Sequence, residues 1–444
     1  MLSMFRIHVV PLFLTLKCQK TMFRFINEGE HSCSNINESA SLARYLKAKI
    51  KAVGPISVAE YMKEVLTNPL SGYYMHRDMI GEAGDFITSP ELGQLFGEMI
   101  AIWCFNEWQK VGSPIPLQLV EMGPGRGSLA ADVLRVFERF GAGGSELSLH
   151  LVEVSPYLSQ LQAELLCVKS AKNTPSSKVP YYRVGTTASN IPVFWYDRIT
   201  DVPRQFSCFL AHEFFDALPI HKFQGFHKHK LHDPLIEPGI ADLTADVDFS
   251  FFRACTEDKL LTFGPVTQRD FLLRMGIDLR LEPYESRNHI EISPESAVIL
   301  EQLATRLEED GGFALIADYG HDGTNTDTFR GFHKHKLHDP LIEPGIADLT
   351  ADVDFSFFRA CTEDKLLTFG PVTQRDFLLR MGIDLRLEIL LRNCDEKQRK
   401  NLISGYHMMV DKDKMGERFK FFSLFPSVLQ EHLTRFPVNG FTAS

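Results

Sequence analysis

The sequence predicts an α/β fold in which a doubly wound, largely parallel sheet is covered by helices on both faces, and three observations predict it. Short apolar runs, Leu117 to Glu121, Leu149 to Val154, Phe206 to Ala211 and Phe313 to Asp318, alternate with helical stretches from Pro116 onward; strands buried on both faces read in this way. The first run ends in an acid and then glycines at 123, 125 and 127, which open a helix from Leu129 to Phe137. The second run carries an acid, Glu153, near its end, as the second strand of a nucleotide-binding βαβ unit does.

The elements follow in chain order. The first 27 residues hold Arg6, Lys17, Lys20 and Arg24 with no acid before Glu28, the profile of a mitochondrial presequence. A secretory signal is the rival reading, since Val9 to Leu16 is apolar, but Lys17 cuts the run short and no Ala-x-Ala site follows. Ser39 to Ala52 has amphipathic spacing. Ser57 and Glu60 form a capping-box pattern ahead of the stripe Val58, Tyr61, Met62, Val65 and Leu66, which Asn68 and Pro69 close. After a turn-rich stretch from Gly72 to Gly84, Ser89 is placed to cap and Pro90 to begin a long helix through Leu95, Met99 and Trp103, ending near Gly112. Beyond the sheet strands, the chain from Glu388 to Phe436 reads as helical in its first half. The alternating Phe419, Phe421 and Phe422 then read as an edge strand.

Residues Gly225 to Glu282 recur without change as Gly331 to Glu388. Structural repeats keep a pattern and lose identity, so a perfect copy indicates a recent duplication or an error in assembling the gene. The second copy follows the strand at Phe313 to Ala317 and runs into the apolar stretch Leu387 to Leu391, so its junctions read as strand, loop, helix, strand. The second is therefore expected to be the native copy and the first a loosely packed insertion.

The chain has 444 residues, 44% of them hydrophobic, with 47 Lys and Arg against 57 Asp and Glu. That balance is compatible with a sizeable core and gives no broad basic surface, so nucleic acid is not an expected partner. No apolar stretch approaches the roughly 20 residues that cross a bilayer. The cysteines, Cys18, Cys33, Cys104, Cys167, Cys208, Cys255, Cys361 and Cys394, show no Cys-x-x-Cys or zinc-type spacing and read as reduced thiols. His227, His229 and His232, copied as His333, His335 and His338, resemble a metal cluster, but their Lys neighbours oppose a cation and no metal is expected.

The candidate chemistry centres on Glu121, Gly123, Gly125 and Gly127. Glycine lets the backbone approach a ligand where a Cβ would collide. Ser128 breaks the dinucleotide pattern, which disfavours a nicotinamide-dependent oxidoreductase. Gly-x-Gly-x-Gly preceded by an acid resembles the first motif of the class I methyltransferases, a Rossmann-like fold, and the acid that would repel a pyrophosphate suits the cationic amino acid portion of S-adenosylmethionine. Glu153 is placed to receive ribose hydroxyls. The segment Leu210 to Pro219 carries Glu213 and Asp216 beside this cleft, where they could orient a protonated guanidinium for methyl transfer; for Asp216, a helix cap is an equal alternative. Asp318 to Gly323 is either a substrate-binding loop or a plain turn.

Gly84 to Glu91, Glu121 to Gly127, His212 to Asp216, Asp318 to His321, Ala347 to Phe355 and Met415 to Phe419 together resemble the MidA-like methyltransferases, from about Ile56 to Phe422. The resemblance is strongest to their mitochondrial, arginine-methylating branch, and it extends the cofactor set to Thr88 and Ser89. It implies an enzyme of the matrix that uses S-adenosylmethionine to dimethylate an arginine on a peripheral-arm subunit of respiratory complex I, needed for assembly of that complex. A non-catalytic assembly chaperone on the same fold is the alternative; target arginine and oligomeric state are left open. The expected organisation is a presequence and arm over 1–38, a helical region over 39–115, the core over 116–224 and 283–330, the duplicated insert over 225–282, the native substrate-side copy over 331–388, and the rest of the core with a tail over 389–444. Between Phe223 and about Glu291 the extra copy replaces a different, strand-like segment of the family, which bears on the substrate side more than on the cofactor side.

Overall fold

The computed structural model describes residues 35–81, 84–173, 179–227, 230–231, 242–244, 289–325 and 327–441. The expected presequence and most of the first copy lie outside the described residues. The path begins with helices α1 (Asn35–Val53), α2 (Val58–Thr67) and α3 (Gln94–Lys110), then β1 (Leu117–Met122), α4 (Ser128–Arg139), β2 (Leu147–Val152) and α5 (Pro156–Leu166). Strands β3 (Lys169–Lys172), β4 (Arg183–Thr186), β5 (Pro192–Tyr196), β6 (Ser207–His212), β7 (His221–His227), β8 (Lys230–Leu231), β9 (Asp242–Thr244) and β10 (His289–Ile292) precede α6 (Pro294–Asp310) and β11 (Gly312–His321). The remainder holds β12 (Arg330–His333), β13 (Lys336–His338), β14 (Asp348–Thr350), β15 (Val353–Asp354), α7 (Phe355–Thr362), β16 (Leu366–Thr373), α8 (Gln374–Arg380), α9 (Ile383–Leu391), α10 (Glu396–Val410) and β17 (Phe419–Pro426).

The chain divides into two compact units, Met1–Tyr73 with Leu218–Ala297 and Gly323–Ala351, and Tyr74–Ala217 with Val298–Asp322 and Asp352–Ser444. In the first unit, Ser57 caps α2 by accepting the Glu60 N–H at 3.0 Å, and the stripe Tyr61, Met62, Val65 and Leu66 is buried as the periodicity requires. Two small sheets belong to this unit, one of β10, β7, β8 and β9 and one of β13, β12 and β14. They hold the first strands of each copy, and these pair alike: Phe226 pairs with Leu231 and Gly225 with Leu243, as Phe332 pairs with Leu337 and Gly331 with Leu349. The histidine rings of the second copy bond backbone carbonyls, His333 Nδ1 to Ile346 O at 2.9 Å and His338 Nε2 to Ile342 O at 3.1 Å.

The second unit is built on a sheet in the order β16-β17-β11-β6-β1-β2-β5-β4-β3. Its centre, β11, β6, β1, β2 and β5, is parallel. The strand order reverses at β1, which has β6 on one side and β2 on the other, and open α/β sheets bind their ligands at such a switch point, outside the carboxyl ends of the strands. The expected parallel strands are therefore present. The 419–422 stretch departs from expectation: β17 lies between β11 and β16, antiparallel to both, because β16 supplies a further partner beyond it. The Leu387 to Leu391 stretch ends helix α9 instead of forming a strand, and only Ile383 of that helix is buried. Pro90 opens a short 3-10 turn, Ser89–Leu92, capped by Thr88; Gly93 at φ 129° separates it from α3, so the long helix starts at Gln94. The antiparallel extension β3-β4 beyond β5 had no clear signal in the sequence. At the other side, β11 runs on through Gly320 and His321, which pair with Val353 and Asp354, so the 318–321 segment is strand and not loop. A Cβ on Gly320 would stand 2.4 Å from the Val353 carbonyl oxygen, which restricts that crossing to glycine.

Candidate functional site

At the end of β1, Glu121 is buried and accepts the Ala130 N–H from the first turn of α4, while its Oε2 has no hydrogen-bond partner among the described residues. Burial pushes its carboxyl up to about 8, and the nearby Glu153 adds to the rise. The chain then turns through Gly123, Gly125 and Gly127 at φ 64°, 54° and 88°, all left-handed conformations that favour glycine. The turn is also crowded. A Cβ would lie 2.8 Å from Phe214 Cδ2 at Gly123, 3.0 Å from Ile80 Cδ1 at Gly125 and 3.3 Å from Gln162 Cγ at Gly127.

Glu153 follows β2 on the neighbouring strand. It accepts the Ser155 N–H at 2.7 Å and the Gln162 amide at 3.0 Å, and burial pushes it up to about 7. Gln162, on α5, joins the parts of this end: its amide nitrogen also donates to Gly125 O at 2.7 Å, and its amide oxygen accepts the Trp195 indole N–H at 2.9 Å. On the other flank, Arg126 within the turn donates to Asp78 at 2.8 Å and to Glu91 at 3.1 Å, and the Ser128 hydroxyl donates to Glu91 at 2.5 Å. Gln162, Arg126, Asp78 and Glu91 escaped the sequence reading; the single basic residue inside the glycine turn, with Asp78 and Glu91 upstream, was the available hint. Thr88 caps the 3-10 turn without a side-chain bond. Ser89 is wholly buried, with its hydroxyl 3.4 Å from Gln374 Oε1.

The strand on the other side of β1 delivers Glu213. Its N–H donates to Ala317 O at 3.0 Å, and its backbone sits at φ 49°, a left-handed conformation uncommon for a residue with a side chain. His212, just before it, packs its ring against Phe419 and Phe96, with Nδ1 3.7 Å from Glu213 Oε1; burial pushes the imidazole down to about 3, so it is neutral. Phe214 is the residue that abuts Gly123. The turn bearing Glu213 and the glycine turn are thus in contact. Asp216 is buried, and its N–H donates to Asp318 Oδ2 at 3.3 Å. Of the sequence-derived residues, Glu121, the three glycines, Glu153 and Glu213 all stand at the carboxyl ends of the three adjacent strands β2, β1 and β6.

A single-acid, glycine-lined bend with buried acids on either side suits a cationic nucleoside, and comparison with known proteins bears on which one. The family described as "Putative S-adenosyl-L-methionine-dependent methyltransferase" matches residues 99–225, 223–266 and 264–372. The chain is 48% identical to the mitochondrial protein arginine methyltransferase NDUFAF7 of Danio rerio over 93% of its own length and 95% of that protein's. It is 47% identical to the protein of the same name from Homo sapiens, over 90% of this chain and 88% of the other. Among solved structures, a Burkholderia thailandensis protein bound to S-adenosyl-homocysteine superposes with a TM-score of 0.64 at 19% identity, covering 94% of this chain and 97% of that one. At that identity the likeness speaks to the fold alone.

Proposed function

The chain belongs to the S-adenosyl-L-methionine-dependent methyltransferase family that holds the mitochondrial NDUFAF7 arginine methyltransferases, and from that premise we propose that it methylates arginine on a subunit of respiratory complex I in the mitochondrial matrix. The observation that carries the chemical part is the buried Glu121 Oε2, without a hydrogen-bond partner among the described residues, at the head of a turn whose three glycines all hold positive φ. A buried carboxylate oxygen without a partner is costly, and a cationic ligand relieves that cost. Gly123, Gly125 and Gly127 would hold the amino acid portion of the cofactor and Glu153 its ribose. Thr88, at the edge of this end, is a further cofactor contact. S-adenosylmethionine, when bound, supplies an electrophilic methyl on a sulfonium.

The work left to the protein is to align the acceptor. A guanidinium is protonated and a poor nucleophile, so one nitrogen must be held in line and its charge delocalised away from it. Glu213, next to the Phe214 that abuts the glycine turn, would do this, with Asp216 on the same turn as a second acid. Glu213 would also accept the proton that the nitrogen loses when the bound cofactor gives up its methyl and is left as S-adenosylhomocysteine. No helix among the described residues is long and apolar enough to cross a membrane, which suits a partner subunit reached from the aqueous side. Within the substrate-side segment, the copy at 331–388 is the native one on this reading; its Leu349, Val353, Phe355, Phe357 and Phe358 are buried. Glu213→Ala should bind S-adenosylhomocysteine normally and yet methylate complex I subunits far more slowly than wild type, by mass spectrometry, with a residual rate still measurable. If complex assembly is restored as fully by this variant as by wild type, the chain acts as a chaperone and the catalytic reading is wrong.

A further inference from the structure

Glu213 owes its position to a residue more than a hundred places further along the chain. Asp318, wholly buried on β11, directs Oδ2 at three consecutive backbone N–H groups, those of Phe214 at 3.2 Å, Phe215 at 2.9 Å and Asp216 at 3.3 Å, while Oδ1 accepts the Tyr319 N–H at 2.9 Å. Successive N–H groups following a left-handed residue make a concavity that binds anions, and here the anion comes from the fold itself. We propose that Asp318 is a positioning residue for methyl transfer: its carboxylate fills the cradle formed by the 214–216 amides and so holds Glu213 in its left-handed conformation beside the glycine turn. The inference rests on the assignment of Glu213 to the acceptor.

Three features carry it. The conformation of Glu213, at φ 49°, costs energy for a residue with a side chain, so something outside the turn must hold it there. The hold on the backbone comes from another strand: the Glu213 N–H donates to Ala317 O, and the next three amides of the turn all go to one carboxylate. The arrangement also has a cost that a purely structural cap would avoid. Burial and the neighbouring Glu213 carboxyl raise the Asp318 carboxyl above its ordinary range, against the backbone N–H groups that hold it as the anion. Two acids are therefore kept close together in a buried place, and an arriving guanidinium would offset their repulsion, which gives the pair a reason to exist at an acceptor site.

The test uses the full-length protein, tritiated S-adenosylmethionine and, as acceptor, the proteins of a mitochondrial extract from cells lacking the enzyme. Asp318→Asn keeps one acceptor oxygen for the cradle but turns an amide toward the Tyr319 N–H. We expect it to bind S-adenosylhomocysteine within about twofold of wild type and to lower the turnover of methyl incorporation at least tenfold, with Asp318→Ala lower still. Because Asp318 acts through Glu213, the double variant Glu213→Ala/Asp318→Asn should be no slower than Glu213→Ala alone. Multiplying losses in the double variant, or wild-type turnover in Asp318→Asn, would overturn the proposal. Should Asp318→Ala fail to unfold cooperatively, the Asp318→Asn pair of measurements decides the matter alone. Absence of incorporation by the wild-type protein would instead sink the methylation reading, and this inference with it.

Discussion

The two ends of the candidate site are built from the same materials in different ways. At β1 and β2, each acid is tied to amides within a few residues or on the next helix: Glu121 to Ala130, Glu153 to Ser155 and Gln162. At β6 and β11, the strained residue and its anchor are Glu213 and Asp318, brought together only by the parallel pairing of Ala317 with His212. The difference teaches that a local motif can specify a pocket by itself, whereas an acceptor platform depends on strand register. A register error would leave the first intact and dismantle the second.

Gln162→Ala probes the first end hardest. It removes partners from Gly125 O, Glu153 Oε2 and the Trp195 indole in one step, and leaving such buried groups unsatisfied costs about 2–3 kcal/mol. S-adenosylhomocysteine affinity should fall about tenfold by calorimetry. An acceptor-side defect at saturating cofactor would break the comparison by showing that the two ends are not separable.

A smaller effect separates the ends by their protons. Glu121, raised to about 8, and Glu153, raised to about 7, hold protons in the folded protein that the unfolded chain has released above its ordinary carboxylate range. Their contribution is thus complete at low pH and is lost as pH rises through their folded values. His150 and His212, both pushed down to about 3 by burial, act in the opposite sense, but only below about 6.5, the ordinary imidazole value. Between pH 6.5 and 8 the ligand-free protein should lose on the order of 2 kcal/mol from Glu121 alone, seen as a falling melting temperature. Glu121→Gln should flatten that slope, and an unchanged slope would count against the buried acid as its source.

The smallest effect concerns the duplication. The two copies form the same strand pairing in their described parts, which is what identical local sequence should do, and the second copy continues past Ala351 into the unit whose sheet carries the site. Removing 225–282 should leave S-adenosylhomocysteine binding within about twofold of the full chain and should not lower the melting temperature. A large loss of either would make the first copy the native one.

Much of the site is legible in the sequence because it is local. Apolar runs named the central strands, and Glu121 with its three glycines announced the turn. What escaped reading was non-local or turned on a single backbone angle. Asp318 reads as a loop acid until β11 is known to pair with β15 through Gly320. The 387–391 stretch is apolar enough for a strand, but the residues before it, from Ile383, continue its helical pattern. Phe419 to Phe422 alternates as an edge strand would, and only the partner β16 makes it internal.

The central claim is that the glycine turn is where the cofactor sits, and one titration addresses it. Gly125 holds φ 54°, and a Cβ there would already press on Ile80 at 3.0 Å, so Gly125→Val should abolish the calorimetric signal for S-adenosylhomocysteine while the protein still unfolds cooperatively. Wild-type affinity in that variant would contradict the account.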